Sequence, residues 1–349
     1  MDNTNIGAYA VAFFLIVCSG CTHQVNSVDT ITKTDIGTLG GNFSSAHDIN
    51  ARGYIVGEST LSTNEKRAFL YDPTNKTMKS LGKLSSGNSS TAEGINFFNQ
   101  VVGSSEIVNF EGKTRAHAFL YTDDTMIDIH PDSSDDFRAF NSYARSINDN
   151  GKISGVMDIQ GMIWDVKTDP THPSTEAVTV NGEFRPTTLY DINGFDVACG
   201  RNYSSDNGFR YANSQYDDLP GGYAEGTAFA INNKGETVGS FLDTLSVDNR
   251  KLAVKWTATK QKIVLGTLGG KDSEARDIND DGVVVGFSNM ADGSVHAFVW
   301  HENFGMKDLG TLGGRVSRAY AINPDGVIVG EGQTLDGKLH AVVWHLTFK

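Results

Sequence analysis

The stretch ARDINDDGVVVG, residues 275–286, decides how the rest of the chain is interpreted. Its residues 277–282 have the D-x-N-x-D-G order that opens a calcium-binding loop. Such a loop needs a bidentate glutamate at its twelfth position, and Ser288 stands there instead. A residue that tolerates positive φ, placed between two apolar runs, is typical of a tight hairpin turn. We therefore predict two β-strands joined by a turn at Gly282, and no metal site.

This stretch is one of seven copies of a single pattern. Each copy has an Ile-Asn pair, then Gly, Asn or Asp three residues after the asparagine, then Gly seven residues after it. The asparagines, which number the repeat units one to seven, are Asn50, Asn96, Asn148, Asn193, Asn232, Asn279 and Asn323. The later glycines are Gly57, Gly103, Gly155, Gly200, Gly239, Gly286 and Gly330. Internal repetition of this kind is the signature of a repeat architecture.

Each unit continues with an apolar third strand that ends in an aromatic residue. These aromatic residues are Tyr71, Tyr121, Trp164, Tyr211, Trp256, Trp300 and Trp344. A fourth strand follows near Met78, Ile127, Val178, Asp217, Ile263 and Lys307. The units are 39 to 52 residues apart, which is typical of the four-stranded blades of a β-propeller.

Strand counting predicts how the ring closes. Residues 30–37, TITKTDIG, have the pattern of a fourth strand but precede the first unit, and the last unit needs no full fourth strand after Trp344. We therefore predict an all-β, seven-bladed β-propeller over residues 30–349, in which the N-terminal strand completes the last blade in a one-plus-three closure. Closure removes two exposed sheet edges.

The N-terminus predicts export. Residues 7–20 are an apolar run of signal-peptide length, too short for a membrane-spanning helix. VCSGC resembles a bacterial lipoprotein signal, although Cys18 stands where Leu is usual and no Lys or Arg precedes the run. The prediction is a lipoprotein-type signal peptide at 1–20, lipidation of Cys21, a linker at 21–29, and a location at the cell envelope or outside the cell. Simple secretion and an uncleaved anchor are the alternatives.

The composition excludes some partners. The chain has 349 residues and a formal charge of −13, which disfavours nucleic acid and anionic membrane surfaces. Its 38 glycines against 7 prolines suit many tight turns, and no window has convincing helical periodicity.

The repeats resemble the HAF-repeat family of probable extracellular proteins, whose units run Leu-Gly-x-Leu-Gly-Gly, Ser-x-Ala, Ile-Asn, Val-Gly, His-Ala-Phe and Trp. Here LGTLGGKDSEARDINDDGVVVG and HAFVW, within residues 265–300, match almost throughout. Units three to five depart most, because the Leu-Gly-Gly element is absent or vestigial there. The resemblance implies export and no settled activity.

Several motifs have features of functional sites, but their sequence context favours structural roles. LGTLGG lacks the helix and the Gly-Lys-Ser/Thr ending of a phosphate-binding loop, so we predict a crossing between blades. His117, His296 and His340 share one position in different units, which keeps them too far apart for one zinc ion. The aromatic residues that end the third strands could stack on a sugar or a peptide, but favour packing between sheets.

The remaining candidates give no catalytic signature. We find no nucleophile elbow, no His-Glu-x-x-His motif and no cysteine with an evident histidine partner. Cys199 aligns with buried valines and is predicted to be a buried thiol. The acidic stretch 123–136 favours a solvated insertion over a calcium site. The sequence thus assigns no catalytic, cofactor-binding or metal-binding residue.

The functional hypothesis is a monomeric, non-catalytic binding or scaffolding module at the bacterial cell envelope, with a protein or glycan ligand. Because the loops 104–117 and 240–252 are longer than their equivalents, we predict that they carry ligand recognition. The first alternative is a propeller hydrolase or lyase acting on glycans or peptides, which carboxylates with raised pKa in a central pocket would favour. The second alternative is calcium-dependent adhesion.

Overall fold

The computed structural model describes residues 27–348 except 86, 109–111, 132–140, 168, 172, 181 and 221–225. The predicted signal peptide, Cys21 and most of the linker 21–29 lie outside the described residues. Every regular element in the described part is a β-strand, which confirms the all-β prediction. None of the described segments forms a helix with the length and apolar character that crossing a bilayer requires.

The strands of the first half follow the repeat units. An N-terminal strand precedes unit one, and units one to three then supply four strands each: β1 (Val28–Asp35); β2 (Gly40–Ile49), β3 (Ile55–Leu61), β4 (Lys66–Asp72), β5 (Thr77–Gly82); β6 (Ser90–Ile95), β7 (Val101–Val108), β8 (Thr114–Thr122), β9 (Thr125–Asp128); β10 (Ser142–Ile147), β11 (Lys152–Met157), β12 (Gln160–Asp165), β13 (Ser174–Ala177).

A short hairpin separates units three and four, and the second half then repeats the pattern. The strands are β14 (Thr179–Val180), β15 (Glu183–Phe184); β16 (Thr187–Ile192), β17 (Ala198–Asn202), β18 (Asn207–Ala212), β19 (Gln215–Asp218); β20 (Gly226–Ile231), β21 (Thr237–Asp243), β22 (Arg250–Trp256), β23 (Lys262–Gly266); β24 (Gly269–Ile278), β25 (Val284–Met290), β26 (Val295–His301), β27 (Gly305–Asp308); β28 (Gly313–Ile322), β29 (Ile328–Thr334), β30 (Leu339–Phe348).

The sheets are antiparallel meanders. Units one to five each form a separate four-stranded sheet, in the orders β2-β3-β4-β5, β6-β7-β8-β9, β10-β11-β12-β13, β16-β17-β18-β19 and β20-β21-β22-β23. Units six and seven belong to one eight-stranded sheet, because a single parallel bridge between Val295 and Val316 joins β26 to β28. The LGTLGG segments connect an outermost strand to the next innermost strand, as the sequence predicted.

The predicted hairpin turns are present in all seven units. The residue three positions after each asparagine has positive φ, from 61° at Asn99 to 82° at Gly53. In each turn its N–H donates to the carbonyl of that asparagine, at 3.0 Å for Gly282 and Asn279. This observation confirms that the opening stretch is a hairpin turn.

The seven asparagine side chains form a ring of hydrogen bonds. Each Nδ2 donates to the main-chain carbonyl of the asparagine in the following unit, for example from Asn50 to Asn96 at 2.9 Å and from Asn148 to Asn193 at 2.8 Å. The chain of bonds continues through all units. It closes where Asn323 Nδ2 donates to the Asn50 carbonyl at 3.3 Å. The asparagines therefore link every sheet to its neighbours.

The aromatic residues at the ends of the third strands pack between sheets, as predicted. Trp344 of unit seven is fully buried among apolar residues that include Val285 and Val299 of unit six. Its indole N–H donates to the Leu309 carbonyl of unit six at 3.1 Å. Trp164 occupies the same place between units three and two. Burial of these rings is a main source of stability in the ring.

The N-terminal strand joins the last unit. β1 pairs antiparallel with β30 along its length, starting at Val28, two residues before the predicted boundary. Asp35 also pairs with His340 of β30 at 2.7 Å, and Ile31 packs against the core that contains Trp344. The predicted pairing of the first strand with the last unit is confirmed.

Candidate functional site in the central cavity

A β-bulge lies at the same place in every innermost strand. In β24 the register with β25 shifts between Ala275 and Asp277, and the other six innermost strands shift at the equivalent residues. A bulge sets two residues against one on the partner strand and redirects their side chains. We call the bulged residue the first channel position and the next residue, directly before the isoleucine, the second channel position.

The repeated glycine makes room for this bulge. A Cβ atom on Gly286 would lie 2.0 Å from the Glu274 carbonyl oxygen of the bulged strand, and the other six glycines face the same obstruction. No side chain fits at such a distance. The Val-Gly element of each repeat is therefore required by the bulge, which in turn positions the channel side chains.

The channel positions line a central cavity of about 360 Å³. All seven innermost strands contribute, so the cavity lies on the axis of the ring of sheets. The first channel positions are His47, Glu93, Arg145, Tyr190, Phe229, Arg276 and Tyr320. The second channel positions that reach it are Asp48, Ser146, Asp191, Ala230, Asp277 and Ala321. Six of the seven ring asparagines line an adjoining cavity that shares Ser146 and Asp191 with this one.

Aromatic residues and one arginine form a continuous arc along one side of the cavity. The guanidinium of Arg276 lies 4.3 Å from the centre of the Phe229 ring and 5.7 Å from that of Tyr320. Phe229 contacts Tyr190 edge-on at 5.1 Å, and Tyr320 contacts His47 edge-on at 5.9 Å. The aromatic residues of the arc are partly exposed and line the cavity.

Charged side chains complete the circle on the other side. Arg145 Nη1 lies 3.4 Å from Glu93 Oε1, and His47 Nδ1 lies 3.7 Å from Glu93 Oε2. Across the cavity, Arg276 Nη1 donates to Glu274 Oε1 at 2.9 Å. Each arginine therefore has a carboxylate partner, and the partner of Arg276 is shared with Lys251.

Three aspartates at second channel positions bridge neighbouring sheets. Asp277 accepts main-chain N–H bonds from Ile278 of its own unit at 2.7 Å and from Ile322 of the next unit at 2.7 Å. Asp48 and Asp191 make the equivalent pair of bonds. These carboxylates therefore link the innermost strands of neighbouring units through hydrogen bonds.

Burial raises the pKa of each of these carboxyl groups. It raises the pKa of Asp48 to about 7, against the opposing effect of its two main-chain hydrogen bonds. The pKa of Asp277 is raised well above its usual range by burial and by the nearby charge of Asp191. Burial likewise raises the pKa of Asp191 and of the Tyr190 hydroxyl. Near neutral pH, Asp48, Asp191 and Asp277 together therefore carry less negative charge than three fully ionised carboxylates would.

The histidines that the sequence raised as zinc candidates lie in three different repeat units. Each pairs with an aspartate of the neighbouring outermost strand: His117 with Asp128 at 2.8 Å, His296 with Asp308 at 2.9 Å, and His340 with Asp35. Within the described ranges, no group of three or more His, Cys, Asp or Glu residues is arranged to hold a metal ion.

Other sequence candidates also fall outside the cavity. Cys199 is fully buried, which confirms the predicted buried thiol, and burial raises its pKa. Of the acidic stretch 123–136, residues 123 and 124 form the turn between β8 and β9, and 132–136 lie outside the described residues. The loop 240–252 forms the tip of the β21–β22 hairpin, with Leu245 and Val247 fully exposed. The loop 104–117 is described only in part.

Sequence reasoning missed the channel positions. The bulge breaks the two-residue alternation from which the inward-facing side of a strand is normally inferred. A usable signal is present, because the two positions between the repeated small residue and isoleucine vary among the copies while their neighbours are nearly constant. Variation inside a repeated frame indicates side chains that the frame does not all require.

Comparisons with known proteins concern the fold. No protein-family model and no curated protein sequence matches the chain. Its structure is similar to a streptogramin B lyase, with a TM-score of 0.55 at 10% identity over 91% of this chain and 98% of that one. It is also similar to virginiamycin B lyase from Staphylococcus aureus, with a TM-score of 0.54 at 7% identity over 91% of this chain and 99% of that one.

A third similar structure is the β-propeller domain of the Trilobed protease from Pyrococcus furiosus, with a TM-score of 0.51 at 12% identity over 87% of this chain and 97% of that one. At such identities a likeness shows the fold and not the activity. The chain is an all-β protein with the β-propeller fold.

Proposed function

We propose that the protein is an exported, lipid-anchored, seven-bladed propeller that binds a ligand in its central cavity at the cell envelope, without catalysing a reaction. The seven-membered asparagine ring and the β1–β30 pairing support the blade count and the one-plus-three closure. Export and lipidation of Cys21 rest on the N-terminal sequence. The main support for ligand binding is the cavity. Every unit contributes to it a side chain at the first channel position, where the residue type varies among units.

The cavity has the features of a recognition site. It combines ring faces on Tyr190, Phe229 and Tyr320 with a few convergent polar groups, as ligand pockets commonly do. The frame that holds these groups is repeated, whereas the lining residues vary among the units. This division favours the cavity over the loops 104–117 and 240–252 as the ligand site.

The polar groups of the cavity are engaged in ways that disfavour catalysis. Ser146 Oγ donates to Asp191 Oδ1 at 2.7 Å, so it faces a carboxyl group and not an imidazole base. Asp48, Asp191 and Asp277 each use both carboxyl oxygens on main-chain N–H groups. A general acid or base needs an oxygen within hydrogen-bond reach of the substrate.

The hydrolase or lyase alternative retains one favourable observation. A carboxyl group with a pKa of about 7, such as Asp48, is matched to general acid–base work near neutral pH. Calcium-dependent adhesion has less support, because Asp277 is committed to the main chain of two sheets and residues 279–282 form a hydrogen-bonded turn.

Array binding with matched variants tests the proposal. The full chain, solubilised and labelled, is applied to arrays of envelope glycans and of peptides. We expect a hit whose affinity falls at least about tenfold in Phe229→Ala, which removes a cavity wall, and is unchanged in Phe98→Ala, an exposed phenylalanine in a turn outside the cavity. A variant with residues 244–248 shortened to a two-residue turn should still bind.

The outcomes separate the alternatives. Loss of binding in the shortened-loop variant together with full binding in Phe229→Ala would place recognition in the loops. Mass spectrometry of the hit after incubation with the protein should show it intact, and a cleaved product would favour the hydrolase or lyase. No hit on either array would contradict the binding proposal.

A further inference from the structure

We infer that the ligand of the central cavity is a neutral sugar ring at the end of a glycan. This inference rests on the proposed function, because it takes the cavity to be the binding site. It is carried by the pairing of charges, the arc of aromatic rings, the size of the cavity and the state of its main-chain groups.

The charge balance argues for a neutral ligand. Arg145 is paired with Glu93, and Arg276 shares the Glu274 carboxylate with Lys251, so both guanidinium groups already have a carboxylate partner. Paired guanidinium and carboxylate groups still offer donors and acceptors side by side. Adjacent hydroxyl groups of a sugar can donate and accept at once, and therefore match such a pair. A charged ligand would have to compete with these existing partners.

The aromatic arc supplies a surface for the apolar face of a sugar ring. Phe229 contacts Tyr190 edge-on, and the guanidinium of Arg276 lies 4.3 Å from its ring centre. These contacts hold the rings in place, so a ligand does not have to order them. The C–H groups of a pyranose pack on such faces while its hydroxyls reach the Arg145–Glu93 pair.

The size of the cavity limits the ligand. At about 360 Å³ it lies near the lower end of the range of roughly 300–1,000 Å³ found for ligand pockets. That space suits one or two sugar rings at a chain end. A longer glycan would extend out of the cavity along the axis.

Main-chain groups argue against a peptide ligand. Peptides in extended form are commonly recognised by pairing with free main-chain N–H and C=O groups. Here each innermost strand has one antiparallel partner, and the Asp48 and Asp277 carboxylates take the N–H groups of Ile49, Ile95, Ile278 and Ile322. An extended peptide therefore finds fewer free main-chain donors here than at an ordinary sheet edge.

Titration of the full chain with monosaccharides tests the inference. The probes are glucose, galactose, mannose and N-acetylglucosamine, with glucuronate as the charged analogue and di-alanine as the peptide probe. We expect one neutral sugar to bind, and to bind at least about tenfold more tightly than glucuronate. Arg145→Gln and Glu93→Gln should each weaken that binding by about tenfold or more. Phe98→Leu serves as the matched control and should leave the affinity unchanged.

The results distinguish this inference from the proposed function. Tighter binding of glucuronate or di-alanine than of every neutral sugar, with loss in Phe229→Ala, would overturn the sugar assignment while supporting the cavity. Binding of a neutral sugar that persists unchanged in Phe229→Ala, Arg145→Gln and Glu93→Gln would overturn both. Circular dichroism melting of each variant shows whether its fold is intact before affinities are compared.

Discussion

Removal of β1, residues 28–35, is expected to lower the free energy of unfolding by at least about 4 kcal/mol, or the melting temperature by roughly 8 °C. The strand pairs with β30 along its whole length. Its loss also removes Asp35 from His340 and Ile31 from the core around Trp344. The exposed edge of β30 would in addition promote aggregation. Thermal melting followed by circular dichroism at several protein concentrations measures both effects.

Adding the missing strand as a separate peptide tests whether the loss of stability comes from the lost strand pairing and not from deletion in general. A synthetic peptide of residues 27–38 added to the deletion variant should restore most of the lost melting temperature, because it can pair with β30. A peptide of the same composition in scrambled order should not. A deletion variant that melts like the full chain would show that the first strand does not close the ring.

The second large effect is expected at the asparagine ring. Asn148→Ala should lower the free energy of unfolding by about 3–4 kcal/mol. The side chain is buried, donates to Asn193 and Asp196 of the next unit, and accepts from the main-chain N–H groups of Asn150 and Lys152. Its removal leaves the buried Asn193 carbonyl without this donor. Urea denaturation measures the change.

The Asn148→Asp variant tests whether the asparagine stabilises the protein through the hydrogen bond to the next unit or only through its own turn. Aspartate keeps the acceptor that the turn requires and is itself favoured in such turns, but it cannot donate to the next unit. If the ring matters, the aspartate variant should be as unstable as the alanine variant or more so, because its carboxylate would face the Asn193 carbonyl and Asp196. Stability near that of the unaltered chain would mean that the asparagine serves the turn alone. Asn42→Ala, at an exposed site, is the neutral control.

The sequence predicted the parts of the fold in which a local backbone conformation admits only a few residue types. Positive φ in the turn admits Gly, Asn or Asp, and that requirement recurs at Gly53, Asn99 and Asp196. The pairing of β1 with β30 followed from counting fourth strands. Both inferences need no knowledge of which residue in another unit a side chain touches.

The candidate site depended on contacts between units and was not predicted. The repeated glycine was visible, but its cause is the carbonyl of a bulge on the neighbouring strand. The asparagine was visible, but its amide partner lies one unit away. The cavity lining varies among the copies, as His47, Glu93 and Arg145 illustrate. Repetition therefore revealed the frame, whereas the residues free of repetition form the site.

The central claim is that the units close into a ring through the first and last strands, and a disulfide tests it most directly. Thr32 and His345 are cross-strand partners on β1 and β30, and both are exposed. Oxidation of the variant Thr32→Cys/His345→Cys should link the two corresponding peptides in a non-reduced digest, as read by mass spectrometry. The pair Asp72→Cys/Thr77→Cys, on neighbouring strands of unit one, is the positive control. A linked control with residues 32 and 345 left unlinked would contradict the closed ring.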